Sequence, residues 1–394
     1  MNIVLFDDQA WANLLPLTFT RPVSEIRIGI LTITEKWEKY TEKKASFHTQ
    51  DYLRCKYPTE LSNDNLFING SVLPCQSLFD EIILLAHGQM LCNGDIVLAA
   101  RVNQAQASSF EQSQLQLQKV EAKSEFVRIE FPWQIFSFND KALKDDFTLI
   151  TKGRKSEPIS ETNRVMGREN IFLEKGAKVE CAILNATEGP IYVGVDAEIM
   201  EGCIVRGGLA MCEHSALKLG AKIYGATTLG PHCKVGGEVN NSVIFGYSSK
   251  AHDGFLGNSV LGEWCNLGAD TNNSNLKNNY AEVRIWNYPQ ERFVHTGLQF
   301  CGLIMGDHSK SGINTMFNTG TVVGVSANIF GDGFPRNFIP SFSWGGAQGF
   351  EIYGLKKVYE VAEMVMKRRN LSLTECDKNI LKAVFEKTAK YRNF

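Results

Sequence analysis

Lys250 and His252 stand two residues apart, and Asn275 and Lys277 repeat that spacing further along the chain. An imidazole titrates near neutral pH, so His252 is the member of this group suited to take up and return a proton. The two lysines bring ammonium groups that hold anions, and Asn275 brings an amide that both donates and accepts. A second group lies near the N-terminus. Asp7 and Asp8 follow the apolar run Ile3–Phe6, and Asp95 sits in Asn93-Gly94-Asp95-Ile96-Val97. Carboxylates suit a hard cation such as Mg2+, so Asp7 and Asp95 are metal candidates. Arg21, Arg27 and Lys36 are the basic groups near them, and an arginine there neutralises charge on a phosphate. The plain alternatives are a solvated turn for His252 and strand-end caps for the aspartates. His308 and Lys310 form a further polar cluster, with a solvated corner as its alternative; His214, His232 and His295 stand alone.

The elements that position these groups follow from periodicity. Val193, Ile199, Val205, Met211, Leu217, Ile223, Leu229 and Val235 fall every sixth residue, and all are aliphatic or Met. Mostly small side chains precede them by two, among them Ala197, Cys203, Ala221 and Cys233. A period of six fits neither a helix nor an isolated strand; it fits a β-helix of hexapeptide turns, each coil burying its face on the next. The period returns at Met305, Ser311, Phe317, Val323 and Ile329. Gly306, Gly312 and Gly324 follow three of these and are expected to turn corners at positive φ. Between Asn272 and Phe300 the period vanishes, and two apolar runs flanking Asn287–Gln290 read as a hairpin thrown out of one coil.

Ahead of the repeats, Asn2–Phe6, Leu66–Ile68, Ile82–Leu85 and Ile96–Ala100 are apolar runs between helix-like segments. This alternation predicts an α/β, Rossmann-like domain with a mainly parallel sheet, whose ligands bind beyond the carboxyl ends of the strands. Ala105–Val120 reads as a helix with Leu115, Leu117 and Val120 on its apolar side. Thr151–Pro158 is a plausible linker. Tyr353–Arg369 reads as an amphipathic helix, and a second runs roughly from Thr374 to Tyr391, opening on a capping-box spacing from Thr374 to Asp377. The expected domains are 1–155, α/β; 160–345, β-helix; and 350–394, helical.

The chain has 394 residues with a formal net charge of −2, and no basic stripe points to nucleic acid. The ten cysteines are scattered without a C-x-x-C pair, so neither a disulfide framework nor a zinc site is expected. No leader or membrane span is visible, and a cytoplasmic protein is expected.

This domain order resembles the sugar-nucleotide pyrophosphorylases. It is similar above all to the bifunctional N-acetylglucosamine-1-phosphate uridyltransferase/glucosamine-1-phosphate acetyltransferase family, in its divergent bacterial and archaeal form. Lys250-Ala251-His252-Asp253-Gly254-Phe255-Leu256-Gly257 resembles the acetyltransferase's Lys-Ala-Gly-His-x-x-Tyr-x-Gly, one residue shorter and with Phe255 for its Tyr. Cys265–Thr271 resembles its Val-Asn-x-Gly-Ala-Gly-Thr, Asn275-Leu276-Lys277 follows as in archaeal members, and Gly302–Asn314 resembles the next coil. Pro16-Leu17-Thr18-Phe19-Thr20-Arg21-Pro22 resembles the nucleotidyltransferase Pro-Leu-Thr with a basic residue and Pro. The family's Gly-rich phosphate loop is replaced by Gln9–Asn13, and its metal-holding Gly-Asp by Gly70-Ser71.

The resemblance implies a left-handed parallel β-helix and a homotrimer with the acyl-CoA site between neighbouring subunits. It implies nucleotide-sugar synthesis for the cell envelope, by acetyl transfer from acetyl-CoA to glucosamine-1-phosphate and Mg2+-assisted uridylyl transfer to the N-acetylated product. In that reading His252 is the base, and Lys250 and Asn275 complete the catalytic set. Lys277 and Phe255 bind substrate in the β-helix, and Thr18, Arg21, Arg27 and Gly70 bind UTP or dTTP and sugar phosphate. Two other readings stand beside it. One is a nucleotidyltransferase alone, like glucose-1-phosphate thymidylyltransferase, with the β-helix as trimer scaffold. The other is a non-catalytic nucleotide-sugar-binding trimer. None involves a membrane.

Overall fold

A computed structural model describes residues 1–110 and 114–394, without the Leu115 side chain. The chain divides into two compact units. The first comprises Met1–Leu14, Thr20–Ile26 and Leu31–Phe131; the second comprises Leu15–Phe19, Arg27–Ile30 and Pro132–Phe394.

The first unit is built on a six-stranded sheet. Its central strand Asn2–Phe6 pairs in parallel with Ala45–His48 and Asn65–Asn69, as the alternation predicts. Beyond these the sheet turns mixed, because Gln89–Asn93 and Ile96–Val102 form an antiparallel hairpin on the Asn65–Asn69 edge. Gln118–Glu121 adds in parallel to the outer strand. Two local expectations fail. The run around Ile82 belongs to helix Gln76–Ile83, whose Leu78 and Ile82 are buried at helical spacing. In the stretch from Ala105 the described residues are helical over Gln104–Ser108, form a 3-10 turn over Gln114–Gln116 and end as strand Gln118–Glu121, while residues 111–113 lie outside the described residues. The predicted contact of Leu115 lies outside the described residues. Helix Ile33–Thr41 opens on a capping box between Thr32 and Glu35; such caps satisfy amide donors that the helix itself leaves open.

The second unit is the parallel β-helix that the six-residue period predicts. Its strands stack into three parallel faces of nine, ten and six strands, the ten-stranded one closed by an antiparallel hairpin. All eight residues of the opening period, Val193 to Val235, are buried in one apolar core. Enclosing each such aliphatic side chain stabilises by about 1.5–3 kcal/mol relative to leaving it exposed, so the repeat specifies the prism through its interior.

The corners are made differently from the expectation. Gly306, Gly312 and Gly324 are not at positive φ; a Cβ on Gly324 would meet the Ser341 backbone nitrogen at 2.3 Å. Those glycines let successive coils approach. Glycines do take positive φ at other corners, among them Gly202, Gly220 and Gly237, and one further positive-φ corner falls on His214, His232, Tyr247, Trp264 and His308, with φ between 56° and 63°. Each sends its backbone N–H to a carbonyl one coil back, as His232 does to Glu213 at 2.9 Å. Their rings form a stack, with centroids 4.8 Å apart for His214–His232, 5.0 Å for His232–Tyr247 and 4.2 Å for Tyr247–Trp264. Stacking and the returned backbone bond offset the cost of left-handed geometry in bulky residues.

The interruption is a hairpin, Arg284–Asn287 against Arg292–His295. Stacking resumes around it, since Val260 pairs with Ile304 and Asn266 with Lys310. The hairpin is fastened to the last part of the chain. Trp286 stacks on Phe338 at 4.3 Å, Tyr288 lies 5.4 Å from Tyr391, and Glu291 pairs with Lys390. Helices Leu355–Lys367 and Glu375–Lys387 follow the coils, the latter with the predicted Thr374–Asp377 capping box in place.

Candidate functional site

In the first unit a cleft of about 540 Å³ opens beyond the carboxyl end of strand Asn2–Phe6. Asp7, Asp8, His48, Asp95, Arg128 and Glu130 line it, so the two predicted metal candidates share one cleft. The oxygens of Asp7 and of its neighbour Asp8 are largely engaged, whereas Asp95 is exposed and no hydrogen bond to it is seen among the described residues. Asp7 accepts from the Val23 N–H at 2.8 Å and from the Thr49 hydroxyl. Burial raises its pKa from 3.8 to about 7, against the lowering by those two bonds. Asp8 accepts from the Ala10 N–H at 2.9 Å, from Asn69 at 2.9 Å and from Arg128 at 2.6 Å. Among the described residues, no group of three or more His, Cys, Asp and Glu side chains is arranged to hold a metal ion.

Ser71 stands at the position where the resemblance leads one to expect an aspartate. Its hydroxyl donates to Asn69 at 2.6 Å and accepts from the Arg128 Nε at 3.0 Å. Arg128 therefore brings a cation into the place where a carboxylate would gather one. Arg128, Asn69 and His48 were not singled out from sequence; the motif signal ends at Gly70, and Arg128 reaches the site from far along the chain. Gly70 is needed for closeness, as a Cβ there would lie 3.2 Å from the Phe6 carbonyl oxygen.

The basic segment is divided. Arg21 is buried in the first unit and does not line this cleft; Thr18 and Arg27 belong to the second unit. Arg27 donates to the Ile30 carbonyl and lies 3.5 Å from the Cys212 sulfur. The surrounding strap is held by Thr228 donating to the Gly29 carbonyl at 2.7 Å and Asp146 accepting from the Ile30 N–H at 2.7 Å. Both residues thus sit with the second unit's packing rather than on the cleft where the phosphate-neutralising role was expected.

In the second unit Lys250 pairs in register with Val235 and takes its inward slot. It is buried, donates to the His252 carbonyl at 2.6 Å, and burial pushes its pKa down to about 8. The His252 side chain is exposed at the turn that follows, and no hydrogen bond to it is seen among the described residues. Asn275 donates to the Asn258 side chain at 2.8 Å. Gly257 lies beneath, where a Cβ would meet the Phe255 ring at 2.5 Å and the Asn275 amide at 2.7 Å. Lys277 donates to the Glu282 carbonyl at 2.6 Å, away from that pair. The fold brings together Lys250 with His252, and Phe255 with Asn275; no bond joins the two groups.

Residues 3–155 match the family model described as sugar nucleotidyl transferase. The protein is a transferase. The matched range covers the first unit from Ile3 onward and runs on to residue 155 in the second. No curated protein matches the chain. Among solved structures, the transferase is similar to a UDP-N-acetylglucosamine acyltransferase from Bacteroides fragilis, with 15% identity over 58% of this chain and 84% of that one and a TM-score of 0.29. It is similar also to an Arabidopsis UDP-N-acetylglucosamine acyltransferase, with 13% identity over 54% and 80% and a TM-score of 0.19. Among the described residues, no helix of the transferase is long and apolar enough to cross a membrane.

Proposed function

We propose that the protein serves nucleotide-sugar synthesis, joining a nucleotide and a sugar-1-phosphate in the first unit and acetylating an amino-sugar phosphate in the second. The observation that carries the first half is the family match over a domain whose cleft opens at the carboxyl ends of its parallel strands. There a sugar phosphate oxygen attacks the α-phosphorus of UTP or dTTP and pyrophosphate leaves. The residues present do not fit a resident Mg2+, since Asp7 and Asp8 already accept from protein donors and Arg128 stands beside Ser71. No step is assigned to a metal held by the protein. Arg128, already paired with Asp8, is the cationic side chain on this cleft that a phosphate would approach.

In the second half an amine nitrogen attacks the acetyl-CoA carbonyl carbon and the C–S bond breaks. His252 takes the proton from nitrogen and returns it to the leaving sulfur. Lys250 holds the His252 backbone, and Asn275 and Phe255 form a floor for the sugar. A homotrimer, with the coenzyme between neighbouring coils, belongs to this proposal.

The test is two assays on the full chain: pyrophosphate release from UTP and dTTP over a panel of sugar-1-phosphates, and thiol release from acetyl-CoA with glucosamine-1-phosphate. Activity in the second that is lost in His252→Ala supports acetyl transfer; no thiol release from the wild type removes it. Thermal stabilisation by UDP-sugars without pyrophosphate release would favour the nucleotide-sugar binder, a reading that the engaged aspartates support.

A further inference from the structure

Four strands of the ten-stranded face carry a polar row along its outside. Lys234 pairs in register with Ser249, Ser249 with Asn266, and Asn266 with Lys310. Because side chains alternate along a strand, the partners Val235, Lys250, Leu267 and Ser311 turn inward and leave this row facing out. On one side stands the corner stack, with the Tyr247 and Trp264 rings. Across it the end of helix Leu355–Lys367 brings Val365, Arg368 and Arg369. Together they enclose a cleft of about 310 Å³.

Its charge is one-sided. Lys234, Lys310, Arg368 and Arg369 all line the cleft, and no carboxylate does. None of the four has an ion-pair partner among the described residues. The protein bonds that two of them make are to backbone carbonyls, Lys310 to His308 at 3.0 Å and Arg369 to His232 at 3.4 Å. The Lys234 ammonium is held below its ordinary pKa by burial and by Arg369, Lys218 and Arg368. Burial does the same to Lys310. Like charges converge here without a counter-ion from the chain, which costs stability unless an anion joins them.

We propose that this cleft is a binding site for the diphosphate group of a small molecule. Two lysines at the ends of the row and two arginines above it meet phosphate oxygens from several sides. The Ser249 hydroxyl and the Asn266 amide between the lysines supply neutral donors. The cleft is a closed patch rather than a stripe, which fits a metabolite and not a nucleic-acid backbone. The site is separate from the first-unit cleft and from the His252 turn, and it stands whether or not either of those turns over substrate.

The test is calorimetric titration of the full chain with inorganic pyrophosphate, inorganic phosphate, coenzyme A and a UDP-sugar. Pyrophosphate is expected to bind more tightly than phosphate. Lys234→Gln and Arg368→Gln, both at exposed positions, are each expected to weaken it about tenfold without lowering thermal stability, and Lys357→Gln, an exposed lysine outside the cleft, is expected to leave it unaltered. If coenzyme A shows the same losses and the UDP-sugar does not, the diphosphate belongs to the coenzyme; the reverse pattern assigns it to a nucleotide sugar. Pyrophosphate binding that is absent, or whose affinity and stoichiometry both survive the Lys234→Gln/Arg368→Gln double substitution, overturns the proposal.

Discussion

Arg128 donates to the Asp8 carboxylate at 2.6 Å while its Nε holds the Ser71 hydroxyl at 3.0 Å. One guanidinium thereby ties the end of the first strand to the turn after Asn65–Asn69. Removing it leaves a half-buried carboxylate and a buried hydroxyl without their shared donor. Arg128→Ala is expected to destabilise by about 2 kcal/mol, read from urea unfolding. The Arg128→Ala/Asp8→Asn double mutant should lose less than the sum of the singles, because one interaction is removed twice. Additive losses would refute the coupling.

Lys250 carries an inward-facing ammonium with its pKa moved from 10.5 to about 8. In the folded state the charged form is the disfavoured one. Its cost is therefore full below about pH 8 and fades as the pH rises toward 10.5, where the unfolded chain is neutral too. Lys250→Met is expected to be more stable than the wild type at pH 7 by roughly 1–3 kcal/mol, with the difference shrinking on the alkaline side. A pH-independent difference would show that the charge is not what is held there.

Asp7 gives the opposite limb. Its pKa rises from 3.8 to about 7 on folding, so the folded state favours the proton. The penalty is absent below about pH 4, grows across the interval and is complete above pH 7. Asp7→Asn should thus gain stability on the wild type as pH rises through that window. Unfolding midpoints collected from pH 4 to pH 8 decide it; parallel curves would refute it.

Gly29 has φ +73°, and a Cβ on it would lie 2.5 Å from an Asp146 carboxylate oxygen and 2.7 Å from the Ala142 carbonyl. Gly29→Ala is expected to destabilise by at least about 2 kcal/mol and to expose the Cys212 thiol, which the strap covers through Ile30. Thiol titration with an aromatic disulfide under native conditions reads the second effect; wild-type protection would show that the strap tolerates the methyl.

The prism was legible because each coil repeats one packing decision, and a sequence shows a decision made many times. Lys250 was legible as chemistry but not as an inward residue. The coil from Val235 to Lys250 is shorter than the one from Leu217 to Val235, so the phase of six is lost just where the lysine falls. The corner positions were hidden for a related reason. Left-handed geometry was expected at Gly306, Gly312 and Gly324, whereas it falls on other glycines such as Gly202 and Gly220 and on His232, Tyr247 and Trp264, which stack on neighbours that only the coiled chain brings together. In the first unit the strands Asn2–Phe6 and Asn65–Asn69 could be read. The Asp8–Arg128 pair could not, since nothing local links residues on opposite sides of an antiparallel hairpin.

The hairpin and the segment Ala389–Tyr391 form a clasp through Trp286, Tyr288, Phe338 and Tyr391. A stack of coils joined only to nearest neighbours frays from an open end, one rung at a time. Here the closing segment is buckled to a rung far upstream, so peeling from that end must first undo contacts in the interior of the stack. The prism behaves mechanically less like a spring than like a strapped bundle.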